Sequence, residues 1–538
     1  MFSSNHRSGG FGGVAVSVAA AIIGGCGGMA TEGGVDDIQV VSSALTAQQR
    51  LAACDQDPRV IAGLVTRNVC AGARIFFDET FDGNGRTCGS CHPAANNFTV
   101  DVPFIDALHA SNPMDPLFVN EFVPALANLE TQDLRNAAAI LENVDGFEAP
   151  TQKFVSRSVS HVLSLATSIA RDTGDGTSAT VVERAGWGGD GPGDGSVRAF
   201  LKGAIEQHFT KTLARRPGID FRVPTAQEED LARAFQLSLG RLNELNLQQV
   251  NIFDAEANEG RRAFLDPQRG RCNVCHVNAG ANFIDTGKNR NFDNGVRFMG
   301  AQLTVGFFNG IGIADAGFGG RNQAQPNVDV NGIGFPNGFG NLTFSPPPLI
   351  EAADTGPFFH TNLQLISQAD ARDIEQAVLF YADSFTGSAP FSRSLGGQAL
   401  EARFGSKLDL QPTDAGRIAR FLRVLNGAFN LDMAKQRLDA AMTLVNRFHD
   451  TRADVQKRLM ELAIEEIDDC LRVLGTSIYP VAVERLGLAK AEIAAGLATT
   501  SWSTRQNRIS NAISRVLNGR DQFGANINFQ LGQGNLMF

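Results

Sequence analysis

Two pentapeptides constrain this chain more than any other feature: Cys88-Gly89-Ser90-Cys91-His92 and Cys272-Asn273-Val274-Cys275-His276. Two thiols two residues apart meet the two vinyl groups along one edge of a porphyrin. The residue that follows carries an imidazole under the iron. Each pentapeptide therefore reads as a haem c attachment site. Cys88, Cys91, Cys272 and Cys275 are the covalent anchors, and His92 and His276 are the proximal iron ligands. The competing reading is a structural zinc site, but zinc ribbons usually separate their cysteine pairs by about 15–20 residues. These pairs lie far apart, and with eight histidines in 538 residues, one directly after each pair is improbable by accident.

The length suits two or three domains, and 43% hydrophobic with 19% charged residues is a globular composition. A net charge of −10 excludes the basic footprint that nucleic acid requires, so any charged macromolecular partner is expected to be basic. Residues 1–26 read as a lipoprotein signal peptide: Arg7, an apolar run from Val14 to Ile23, then Ile23-Gly24-Gly25-Cys26, which resembles a bacterial lipobox. An ordinary secretory peptide cut elsewhere is the alternative. The apolar run is too short to span a bilayer. The expected location is the periplasm, outer membrane or cell surface, lipid-anchored or secreted. Cys54 and Cys70 can pair once exported, and Cys470 reads as a buried small apolar residue.

The chain is expected to be mainly α: two tandem cytochrome c-type domains plus a C-terminal helical extension. After the signal, residues 27–46 read as a Gly/Ser/Thr-rich flexible tether. Residues 47–245 form an N-terminal cytochrome c domain, 246–429 a second one, and 430–538 the extension. Glu229–Gly240 and Gly416–Leu425 show helical apolar periodicity. Met433–Leu474 and Lys490–Leu517 read as long Ala/Leu/Arg-rich helices. The Gly/Asn/Phe-rich stretch from Phe307 to Pro348 reads as a long surface loop. A weak repeat supports the two-domain reading: Ala73-Arg74-Ile75-Phe76-Phe77-Asp78 precedes the first pentapeptide and Gly260-Arg261-Arg262-Ala263-Phe264-Leu265-Asp266 the second.

Further segments carry a family resemblance. Phe76-Phe77-Asp78 with Cys88-x-x-Cys91-His92-Pro93 resembles the start of the bacterial dihaem cytochrome c peroxidases and MauG. Glu259-Gly260, Cys272-x-x-Cys275-His276-x-Asn278-x-Gly280 and Phe283 resemble the opening of their second domain. Thr355-Gly356-Pro357-Phe358-Phe359-His360 resembles their Thr-x-Pro-Tyr-Phe-His turn, and Ala419–Gly427 their closing helix. The resemblance runs in order from about Leu51 to Gly427. It implies that the first haem, on His92, is peroxidatic and that the second, on His276, exchanges electrons with it.

The resemblance also assigns residues. Asp373–Tyr381 resembles the helix that carries a methionine ligand in the peroxidases, and it places Tyr381 there, as MauG has a tyrosine. Independently, Ile374, Ala377, Val378 and Tyr381 fall at i, i+3, i+4 and i+7, on one face. A phenolate is a hard donor that favours higher iron oxidation states. The alternative is a core tyrosine with a hydrogen-bonded hydroxyl, Met299 or solvent then taking the iron. Trp187, in Gly186-Trp187-Gly188-Gly189-Asp190-Gly191, resembles the family tryptophan that passes electrons between haems; a packed loop tryptophan is the alternative.

Three departures stand out. Lys202–Thr210 resembles the segment bearing the distal glutamate, yet Thr210 occupies that position, which leaves Glu206 and His208 as candidate acid–base residues. His109 is a weaker candidate for a switchable distal ligand. Thr355 and Pro357 match two carbonyl donors of the family calcium site, whose companion asparagine is replaced near Ser158. The resulting expectation is two covalent haem c groups and a calcium ion in doubt, in an exported peroxide-dependent oxidoreductase. Hydrogen peroxide would bind opposite His92, and electrons would come from a small donor protein or an oxidisable substrate. Two alternatives remain open. One is a dioxygen enzyme similar to the dihaem rubber oxygenases, with Phe200 and Phe209 lining an apolar pocket. The other is a non-enzymatic dihaem electron carrier.

Overall fold

Threonine, serine and aspartate caps start the helices that present both pentapeptides. The structure, a computed structural model, describes residues 45–130, 133–143, 147, 155–175, 180–187, 194–295, 343–360, 362, 374–382 and 390–538. Cys26, most of the tether, Met299 and most of the 307–348 loop lie outside the described residues. Helix α1 (Ala47–Cys54) begins at Thr46, whose hydroxyl accepts from the Gln49 amide while the Gln49 side chain accepts from the Thr46 amide. Helix α2 (Arg67–Asp78) is capped by Thr66, α3 (Val197–His208) by Ser196 and α4 (Ala226–Gln236) by a Thr225/Glu228 capping box. Asp254 caps α5 (Ala255–Leu265), and α6 is the short helix Ile374–Leu379. Four longer helices follow: α7 (Pro412–Phe448), α8 (Ala453–Leu474), α9 (Pro480–Ala498) and α10 (Trp502–Arg520). Among the described residues strands are confined to two antiparallel pairs, Ala139–Glu142 with Val155–Ser158 and Asn251–Ile252 with Gly524–Ala525. The chain is mainly α, as the sequence predicts.

The repeat seen in sequence has a packing counterpart. Helix α2 crosses α4 at Gly72, where an added Cβ would stand 2.0 Å from the Leu231 carbonyl oxygen. Helix α5 crosses α7 at Gly260, where a Cβ would stand 1.9 Å from the Arg417 carbonyl oxygen. Each helix leading into a pentapeptide is thus pressed backbone-to-backbone on a later helix, and only glycine fits the crossing.

Three expected boundaries differ from the structure. The division at 429/430 falls inside α7, which runs 37 residues without interruption. Composition changes there, but the helix does not: Asn426 and Asn430, one turn apart across the division, both donate to the Asp354 carboxylate (3.0 and 2.7 Å). The expected 433–474 helix is two helices, because His449 (φ 51°) and Arg452 (φ 129°) leave helical space between α7 and α8. Neither glycine nor proline marks that break. The expected 490–517 helix is also two, with α9 beginning at Pro480 and Ser501 capping α10.

Cys54 and Cys70 form a disulfide that ties α1 to α2 across 16 residues. A loop of this size is worth about 3 kcal/mol through the unfolded chain. The Cys54→Ala/Cys70→Ala variant is expected to lose about that much, read as a lower urea midpoint at unchanged slope; an unmoved midpoint would contradict it. Cys470 is fully buried in α8, as expected.

Candidate functional site

The second pentapeptide opens into a cavity of about 260 Å³ lined mostly by apolar side chains, with Cys272, Cys275 and His276 in its wall. Cys272–Val274 forms a single 3-10 turn, after which His276 leaves helical space (φ −125°, ψ 59°). Its Nδ1–H donates to the carbonyls of Gly280 and Pro347, both at 3.1 Å. Carbonyls only accept, so the proton is fixed on Nδ1 and the Nε2 lone pair is left available. Burial holds the imidazole neutral, its pKa lowered to about 4. Burial also pushes the Cys272 and Cys275 thiols up to about 12. A thioether carries no charge and suits such surroundings. Among the described residues no three Cys, His, Asp or Glu side chains converge as a metal ion requires. The residues present therefore fit a covalent porphyrin better than zinc.

Ile374, Ala377, Val378 and Tyr381 all line this same cavity. Helix α6 is shorter than predicted and ends at Leu379, but a further turn (Tyr381 N–H to Val378 O, 3.1 Å) keeps Tyr381 on that face. The chain has two tyrosines, and they differ sharply. Tyr479 is structurally satisfied: its hydroxyl donates to Phe523 O (2.9 Å) and accepts from Asp254 N (3.1 Å). Among the described residues the Tyr381 hydroxyl has no hydrogen-bond partner. Burial raises its pKa well above the ordinary value, and the nearby Cys275 and Cys272 sulfurs add to the shift. The rings of Phe380 and Phe391 stand 5.1 and 5.0 Å away. Without a cation beside it, this oxygen stays a neutral phenol.

Trp187 and His360 line the cavity as well, with ring centroids 6.5 Å apart. The indole N–H donates to Ser158 O at 2.9 Å, and Phe344 stacks on His360 at 3.6 Å. Ser158 also bonds the 355–360 turn, its amide to His360 O (2.9 Å) and its hydroxyl to Phe359 O (2.8 Å). The structure thus brings Trp187, Ser158, Thr355 and Pro357 to one place. The neighbouring acid, Asp354, turns its carboxylate to Asn426 and Asn430 instead. Among the described residues the turn offers carbonyls without the carboxylates usual in calcium's hard-oxygen shell, so calcium is poorly matched there.

The first pentapeptide follows the same plan. His92 Nδ1–H donates to Phe98 O at 2.9 Å, and burial lowers its pKa to about 4. Burial pushes the Cys88 and Cys91 thiols up to about 12 and 11. Beside it lies a buried charged cluster that sequence reasoning missed. Arg86 Nη1 and Nη2 grip both oxygens of Glu130 (2.6 and 2.8 Å), and the same guanidinium donates to Leu117 O (2.6 Å) and Pro116 O (3.0 Å). His208, buried at the end of α3, points Nδ1 at Glu130 Oε1 from 3.5 Å and lies within electrostatic reach of His92. Burial opposes the Glu130 charge, but Arg86 and His208 outweigh it and hold the pKa down to about 2. Glu206 is only half-buried, and burial raises its pKa against the pull of Arg215.

The structure therefore separates the two expected acid–base residues. His208 sits in the cluster, and Glu206 does not reach Glu130 or Arg86 by any described hydrogen bond. Thr210 is buried, and its hydroxyl donates to Thr212 O (2.5 Å). Phe209 packs on Phe81 (6.1 Å) and Phe200 lies against Gly186. His109 is half-exposed between Glu121 and Arg135. Arg86 could have been suspected from standing two residues before Cys88. Glu130 carries no local signal, because only the folded loop brings it there. No protein-family model, curated protein or solved structure matches this chain.

Proposed function

We propose that the chain is an exported dihaem c-type redox enzyme with two tandem cytochrome c-type domains, working as a peroxide-dependent oxidoreductase. Cys88, Cys91 and His92 would hold one haem; Cys272, Cys275, His276 and Tyr381 would hold the other. When bound, these groups supply one-electron and peroxide chemistry that side chains cannot. The observation that carries the reading is Tyr381: a half-buried phenol without a hydrogen-bond partner among the described residues, in the cavity walled by Cys272, Cys275 and His276. A phenolate ligand accounts for a hydroxyl turned into this cavity.

The other residues take defined tasks. The carbonyls facing His92 and His276 fix each proton on Nδ1 and orient the ring, as outer-shell partners of ligating histidines do. Glu130, held by Arg86, stands 3.5 Å from His208 Nδ1, and His208 is the group that would take and return a proton at the first site. Trp187, hydrogen-bonded in the wall of the second cavity, is the aromatic ring suited to pass an electron between sites. Apolar walls exclude water. The Cys54–Cys70 disulfide favours an oxidising compartment outside the cytosol, where Cys26 would carry a lipid.

A spectroscopic titration of the matured protein with hydrogen peroxide tests the reading. A five-coordinate high-spin haem that turns over peroxide is expected. A stable dioxygen adduct with polyisoprene cleavage would replace the reading by the oxygenase, and inertness to both would leave an electron carrier.

A further inference from the structure

The two histidines are held differently. His276 has two carbonyl acceptors, whereas among the described residues His92 has one, Phe98 O. That single acceptor sits on a turn whose Asn97 (φ 55°) and Phe98 (φ 59°) both lie in left-handed space, as Asn278 (φ 56°) and Ala279 (φ 59°) do after His276. Such a conformation persists only where surrounding structure enforces it.

The enforcement comes from residues far away in sequence. The Asn97 side-chain amide donates to the Asp469 carboxylate of α8 at 3.0 Å, across 372 residues. The Phe98 ring, 2% exposed, meets the edge of Phe538 at 5.0 Å and 84°. Phe538 is itself fixed, with Phe77 at 6.2 Å and the Arg437 guanidinium 4.9 Å from its ring centre. Just before it, Asn535 bonds both the amide (2.7 Å) and the carbonyl (3.1 Å) of Gly240. Arg59 donates to Leu536 O at 2.7 Å.

We propose that Asp469 and Phe538 are positioning residues for His92. Together they clamp the Asn97–Phe98 turn, so the helical region beyond residue 430 sets the donor strength of the first site's proximal imidazole. The proposal rests on the haem reading for its consequence, but the clamp itself does not. A firmly held carbonyl strengthens the Nδ1–H bond and makes the imidazole a stronger donor to iron. Releasing the turn weakens the donor and moves that iron's potential upward.

The test uses the full-length matured protein as Phe538→Ala and Asp469→Ala, with Ile509→Ala as a control that opens a cavity in α10. The Asn97, Phe98 and Thr99 amides bond the carbonyls of Ala94, Pro93 and Asn96, so local opening is read as their hydrogen exchange. Both clamp variants are expected to exchange about tenfold faster there. The first haem should show a lower iron–histidine stretching frequency and a higher midpoint potential, with the second haem unmoved. Ile509→Ala should change none of these. Parent-like exchange at 97–99 in both clamp variants overturns the clamp. A first-haem potential that moves equally in Ile509→Ala reduces it to general stability. Should Phe538→Ala not fold, Asp469→Ala decides alone. Protein without covalent haem would defeat the haem reading, while exchange still judges the clamp.

Discussion

Tyr381→Phe is expected to raise the midpoint potential of one haem by several tenths of a volt and leave the other within error. Axial-ligand identity spans about 0.8 V in haem proteins, so removing an anionic oxygen donor is among the largest single changes available. Among the described residues His161 and His360 also line this cavity, His360 stacked against Phe344, and the rings beside Tyr381 are phenylalanine. Tyr381→Met should also raise the potential, while restoring a six-coordinate iron with a thioether. Stability should change little in Tyr381→Phe, because the lost hydroxyl makes no hydrogen bond to a described residue. Potentiometric titration of parent and variants decides it. Coincident titrations would remove Tyr381 as a ligand and return it to the core.

Glu130→Ala is expected to destabilise the protein by about 3–5 kcal/mol, the usual cost of leaving one member of a buried ion pair alone. Arg86 would keep its charge, fully buried, with only the Leu117 and Pro116 carbonyls as partners. The double variant Arg86→Met/Glu130→Leu should recover most of the loss, since two apolar side chains leave no orphaned charge. The pair also predicts an acid limb. The folded pKa of Glu130 is depressed to about 2 from an ordinary 4.5, so its contribution is complete above about pH 4.5 and is lost as pH falls toward 2. Urea unfolding of Glu130→Gln across that window should lack this component. A Glu130→Ala variant within about 1 kcal/mol of the parent would show that the pair is not structural.

Much of the candidate site could be read from the sequence, for identifiable reasons. The pentapeptides are local, so their spacing alone fixes what the thiols and imidazoles can reach. The face carrying Ile374, Ala377, Val378 and Tyr381 obeys helical periodicity, and all four line one cavity even though α6 ends two residues before Tyr381. What escaped was non-local. Glu130 reaches Arg86 across 44 residues and His208 across more, from a loop with no periodic signature. The clamp on Asn97 and Phe98 joins segments hundreds of residues apart. The domain division at 430 was placed by a composition change, but backbone hydrogen bonding in α7 ignores composition, and the packing of Asn426 and Asn430 on Asp354 spans it.

Both proposed haem sites require a porphyrin bonded to this polypeptide through its paired cysteines. Intact-mass analysis of protein matured with its own export and haem-attachment machinery measures that directly. The account predicts the mass of the processed chain plus two tetrapyrroles, one of which disappears in Cys88→Ala/Cys91→Ala and the other in Cys272→Ala/Cys275→Ala. A mass equal to the bare processed chain would contradict it.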